Sequence, residues 1–164
     1  MRRGCMKKVS AKKRMMFVQN NDFNFLSYMV LLTLEKLSCT SEKKSFIDYR
    51  KIAFIANMIF WKNKADWNKI YYESQISIKT LDMIIQTLEK KGVVSVKLND
   101  KRKTVDVWIS NRALSKLFVD EAMFAYELMR LEEIRVLDNR LRTSKLSTFL
   151  GNQFSQYGVK IWEV

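Results

Sequence analysis

Residues 77–111 constrain the fold more than any other stretch of this chain. They read SIKTLDMIIQTLEKKGVVSVKLNDKRKTVDVWISN. Leu81, Ile84, Ile85 and Leu88 recur at i, i+3, i+4 and i+7, which places them on one face of a helix. Ser77 or Thr80 can cap its start, and Lys90 and Lys91 suit the negative end of its dipole. Gly92 stands just past the last apolar turn, where a left-handed residue ends a helix. Residues 93–98 are mostly β-branched and apolar, and Asn99-Asp100 is turn chemistry. Thr104–Ile109 then alternates, with Val105, Val107 and Ile109 on one face and Thr104, Asp106 and Trp108 on the other. The pattern predicts a helix, a stop and an antiparallel hairpin.

Thr80-Leu81, then Leu88-Glu89-Lys90-Lys91-Gly92-Val93-Val94, a charged hairpin and Val107-Trp108-Ile109-Ser110 together resemble the recognition helix and wing of winged-helix proteins. The resemblance covers about 35 residues directly, a length that fits one helix and a hairpin. It implies a mainly α fold with a small antiparallel β-hairpin (α+β), a winged helix-turn-helix with a C-terminal helical extension. On that pattern, Gln75-Ile76-Ser77-Ile78 is the turn that enters the recognition helix. Winged helices serve both as DNA readers and as protein-binding modules, so the resemblance speaks to fold more than to function.

The rest of the chain is consistent with that frame. Proline is absent and glycine occurs four times, which favours long helices over an all-β fold. Residues 1–16 form a basic arm, 17–111 the winged-helix domain, and 112–164 a helical extension. Asp22 or Asn24 can cap a first helix carrying Phe25, Leu26, Met29, Val30, Leu32, Leu34 and Leu37. Ser45-Phe46-Ile47-Asp48 reads as a variant capping box before a stripe of Ile52, Ile55, Ala56 and Ile59. Residues 67–74 fit either a short helix or a short strand. Ser110 or Asn111 caps a helix bearing Ala113, Leu114, Leu117 and Phe118. A break at Asp120-Glu121 precedes a long helix to about Leu141, with a mixed-charge face that includes Glu127. Ser144 can cap a last helix over 145–157, stopped by Gly158, and 159–164 adds an edge strand or a tail. The extension serves dimerisation, binds a larger partner, or completes the chain's own core; apolar stripes do not name what they face.

Charge narrows the partners. The chain carries thirty basic and seventeen acidic residues, a formal +13. Arg2, Arg3, Lys7, Lys8, Lys12, Lys13 and Arg14 lie in the first fourteen residues without one acid; the remainder keeps twenty-three bases against seventeen acids. A basic body with a more basic arm suits a polyanion, although such an arm equally suits a solubilising tail. Lys97, Lys101, Arg102 and Lys103 cluster on the wing, where cations neutralise phosphates. The helix would show Lys79, Asp82, Met83, Gln86 and Glu89 outward. Gln86 could read adenine and Lys79 could touch guanine or phosphate. The face has no arginine and two carboxylates, which argues for backbone contact over sequence readout.

Several chemistries lack their residues. The chain has no histidine, which removes the commonest general base and His-containing zinc sites. No phosphate-cradling glycine loop occurs. The pairs Asp120/Glu121 and Glu132/Glu133 are adjacent on expected helices and do not face each other. No catalytic, cofactor-binding or metal-binding residue is expected. Cys5 and Cys39 form no disulfide framework, which suits a reducing cytoplasm, and no apolar run is long enough to span a bilayer.

The apolar first helix, the stretch Ile47-Asp48-Tyr49-Arg50-Lys51-Ile52-Ala53-Phe54-Ile55, the hairpin and the helical C-terminus also resemble small winged-helix subunits of SMC- or Rad50-like ATPases. These include kleisin-associated proteins and the middle components of Lamassu-like prokaryotic defence systems. That resemblance implies a non-catalytic adaptor that joins a larger protein subunit and touches the backbone of double-stranded DNA. The alternative is a homodimeric transcription regulator of the multiple-antibiotic-resistance (MarR) type.

Overall fold

A computed structural model describes residues 23–61, 66–119 and 121–161. Among them are six α-helices and one two-stranded antiparallel sheet, an α+β arrangement dominated by helix. The order is α1 (Phe23–Lys36), α2 (Lys51–Phe60), α3 (Trp67–Lys90), β1 (Val94–Asn99), β2 (Thr104–Ile109), α4 (Arg112–Phe118), α5 (Ala125–Leu137) and α6 (Leu146–Gln153), followed by a 3-10 turn at Ser155–Tyr157. No described helix is long and apolar enough to cross a membrane.

Helix α2 is the hub because nearly all of it is apolar and every residue from Lys51 to Ile59 is buried. The Phe54 ring meets Tyr71 of α3 at 5.6 Å, Phe149 of α6 at 6.5 Å and Phe154 beyond α6 at 5.7 Å. Trp67 packs edge-on against Phe154 and stacks on Tyr157 at 4.1 Å. The end of the C-terminal segment therefore packs on the chain's own helices. Each fully buried aromatic of this kind contributes roughly 2–3 kcal/mol by leaving water.

Helix α3 departs from expectation at its start. It is continuous over 24 residues, so 75–78 is helix interior and not a turn. Asp66 caps it, its side chain accepting the Lys69 backbone N–H at 3.1 Å. Ser77 looks like a cap in sequence, but it and Ser74 donate to the carbonyls of Glu73 and Ile70, four residues back. Asn57 of α2 donates to Ser77 Oγ at 3.2 Å, so these hydroxyls serve the α2–α3 contact. The alternatives for 67–74 resolve to helix. The far end behaves as expected: Gly92 has φ +73°, and the Val93 N–H reaches back to the Leu88 carbonyl at 3.0 Å.

The expected capping box is also absent. Phe46 forms a bridge with Val107, donating and accepting one backbone hydrogen bond, so this segment lines the free edge of β2. Helix α2 begins later, at Lys51, with no side-chain cap. Asp48 instead adopts φ +57° and takes the Arg50 guanidinium in two bonds of 2.8 and 2.7 Å. Burial on β2 is not confined to the valine face, because Thr104 and Asp106 are buried too. Asp106 accepts from the Asp48 N–H and the Thr104 hydroxyl, which satisfies its carboxylate.

The remaining helices are shorter than their stripes suggest. Asn111 caps α4 through the Leu114 N–H, yet Leu117 at its end is 81% exposed. Helix α5 ends at Leu137 and not near Leu141, because the Asp138 side chain takes the Arg140 N–H and turns the chain. Glu127 is buried, contrary to a fully solvated face. Helix α6 is flanked by Lys145 with no side-chain cap, so Ser144 does not serve as one. Gly158 ends the segment at φ +75°, and 159–161 forms no strand. Asn24 lies inside α1 as described, while Asp22 falls outside the described residues.

Candidate nucleic-acid interface

The hairpin is in register from Val94 opposite Ile109 to Asn99 opposite Thr104. Four residues, 100–103, close it. The Asn99 side chain accepts the Arg102 N–H at 3.1 Å, and Lys103 takes φ +52°, a left-handed conformation that costs a non-glycine residue about 1 kcal/mol. Lys101, Arg102 and Lys103 are thereby set side by side on the turn, all exposed. None has an ion-pair partner among the described residues.

Lys97 differs from these three. Its amine pairs with Glu42, and that hydrogen bond raises its pKa. Both groups are largely exposed, so the pair adds little stability, but it occupies a charge expected to be free. Among the described residues the hairpin thus presents three unpaired cations and one partnered cation.

Lys79 and Gln86 are exposed on α3, seven residues apart on one face, with Met83 between them. Asp82 is drawn aside. The Tyr49 hydroxyl donates to its carboxylate, and burial together with that bond pushes the Tyr49 pKa well above its usual range. One of the two carboxylates expected to repel phosphate is therefore engaged inside the fold, while Glu89 stays exposed. The arm residues Arg2, Arg3, Lys7, Lys8, Lys12, Lys13 and Arg14 lie outside the described residues.

Three features were not anticipated from sequence. Arg50 and Lys145 line one cleft with Arg102 and Lys103, although Lys145 lies more than forty residues beyond the wing. No local pattern could have paired them. Lys51 is fully buried: its amine donates to the carbonyls of Leu141 and Ser144, each at 2.6 Å, and sits 4.4 Å from the Phe46 ring centre. Burial lowers its pKa to about 7, against the pull of Asp48, Asp138 and Asp106. Cys39, also buried, is pushed up to about 12 by desolvation. The lone lysine in an apolar stripe was the one available signal.

Of the carboxylates weighed for chemistry, Glu132 pairs with Arg135 and Lys36, and Glu133 with Arg130. The two arginine contacts hold Glu132 and Glu133 on the α5 surface. Among the described residues no group of three or more acidic or thiol side chains could hold a metal ion.

Neither a family model, nor a curated protein, nor a solved structure matches this chain.

Proposed function

We propose that this protein is a non-catalytic winged-helix adaptor that contacts the DNA backbone through its hairpin turn and joins a larger protein subunit. One observation carries the DNA contact: Lys101, Arg102 and Lys103 stand exposed and unpaired on a four-residue turn. Three exposed cations on a hairpin turn suit phosphates, whose positions do not depend on base sequence.

The element order supports the winged-helix assignment. Among the described residues three helices precede a hairpin, and the segment at Phe46 lies against the outer edge of β2 as a short third strand would. In this arrangement α3 is the recognition helix, and 75–78 lies within it. The exposed face of α3 carries Lys79, Met83 and Gln86 and no arginine, which favours backbone contact over base readout. Exposed apolar side chains on α3, α4 and α5 supply area for a protein partner, including Tyr72, Leu117 and Leu137. The sequence resemblance points to an SMC- or Rad50-like ATPase as that partner.

The joint substitution Lys101→Ala, Arg102→Ala and Lys103→Ala tests the contact. Affinity should fall for every duplex by the same factor, while Gln86→Ala should leave preference unchanged. A change of sequence preference with Gln86→Ala would instead assign base reading to α3.

A further inference from the structure

A cleft of about 300 Å³ opens between the hairpin turn, the segment before α2 and the start of α6. Its basic lining residues are Arg50, Arg102, Lys103 and Lys145, drawn from three separate parts of the chain. Its apolar lining residues are Leu146, Leu150 and Ile161. Among the described residues one acid, Asp48, lines it, and that carboxylate is already held by Arg50 through two hydrogen bonds. The cleft therefore keeps the charge of Arg102, Lys103 and Lys145 uncompensated. The first turn of α6 adds to this, because no side chain caps its N-terminus and Ser147 stands there with its hydroxyl.

We propose that this cleft binds a small phosphomonoester carried on an apolar or flat body, about the size of a mononucleotide. The volume lies at the lower end of small-ligand sites. Guanidinium and ammonium groups with helix N–H groups are the donor set that phosphate takes. A terminal phosphate carries close to two negative charges near neutral pH and can enter end-on. A strand's phosphodiester carries one charge and is flanked by sugars on both sides, so it fits a concave seat less well. Half-buried Ile161, with the small part of Leu146 and Leu150 that stays exposed, gives the remaining body of the ligand an apolar surface to cover. Lys101, Lys79 and Gln86 do not line the cleft, so its occupancy and duplex binding are separable.

Calorimetric titration of the full chain with adenosine monophosphate, inorganic phosphate and adenosine tests this, with a short duplex as the fourth ligand. The nucleotide should bind at least about tenfold more tightly than either fragment, since phosphate and body use different lining residues. Lys145→Ala should weaken nucleotide binding about tenfold, the loss of one charge-assisted contact, and leave duplex binding unchanged. Lys101→Ala should do the reverse. Lys145 is exposed, so its removal leaves the core intact. Absence of nucleotide binding, or binding indifferent to Lys145→Ala, overturns the proposal. Equal weakening of duplex and nucleotide by Lys145→Ala also overturns it, and makes the cleft a seat for a strand's phosphate. Loss of duplex binding in every chain, with nucleotide binding retained, would instead remove only the DNA contact proposed above.

Discussion

Replacing Lys51 with methionine should abolish a specific pH dependence of stability. Lys51 is buried with its amine between two carbonyls and an aromatic ring. A neutral amine has two N–H groups, which is what the two carbonyls need, so the folded chain can hold Lys51 without its proton. In the unfolded chain the side chain keeps its proton up to its ordinary value of 10.5, whereas the folded one releases it near 7. Between those values the unfolded state binds more protons, so stability rises with pH. The contribution is complete above 10.5 and is lost as pH falls through 7. Its ceiling is the difference of 10.5 and about 7 at roughly 1.4 kcal/mol per unit, about 5 kcal/mol. Between pH 7 and pH 9 the gain is about 2 kcal/mol, because the folded group is only half deprotonated at its own pKa. Cys39 works in the opposite direction above its ordinary value of 9.0; Lys51 is a lesser cause of its shift than burial, and below pH 9 the thiol keeps most of its proton in both states, so it changes the comparison little over this interval. Urea unfolding at a series of pH values, followed by tryptophan fluorescence, gives the stability of each chain. The wild type minus Lys51→Met difference should grow by about 2 kcal/mol across that interval. A difference that stays flat refutes the neutral buried amine. The variant also leaves two carbonyls without a donor, a cost of about 1–3 kcal/mol each that shifts its curve without tilting it.

Phe154→Ala should lower stability by about 3–5 kcal/mol, since the ring touches Phe54, Trp67 and Tyr71; urea midpoints check this. Asp106→Ala orphans the Asp48 N–H and the Thr104 hydroxyl and should cost about 1–3 kcal/mol per donor, read in the same assay. Glu42→Gln releases Lys97 and should tighten duplex binding while leaving the urea midpoint nearly unchanged, measured by fluorescence anisotropy and urea melts.

The parts legible in the sequence were those set by near neighbours. The stripe from Leu81 to Leu88, the glycine stop at Gly92, the Asn99 turn and the Asn111 cap all depend on residues within one or two turns. The illegible parts depended on distant partners. Ser77 read as a helix start because a serine that caps and a serine that bonds back to i−4 look alike. Asn57 on the neighbouring helix distinguishes them. Phe46 read as a helix entrance because its true partner, Val107, lies sixty-one residues away. The hairpin cations were visible as a cluster, but Glu42, which occupies Lys97, and Lys145, which lines a cleft with Arg102, belong to other segments. Stripes on α4 and α5 gave helices correctly and overstated burial, since Leu117 and Leu137 face solvent.

The most direct test of the DNA-backbone contact is the salt dependence of binding to two short duplexes of unrelated sequence, wild type against the chain lacking Lys101, Arg102 and Lys103. The expected result is one straight log–log line shared by both duplexes, its slope reduced by about 0.9 for each cation removed. A strong preference for one duplex, or a slope unchanged by the substitutions, would contradict it.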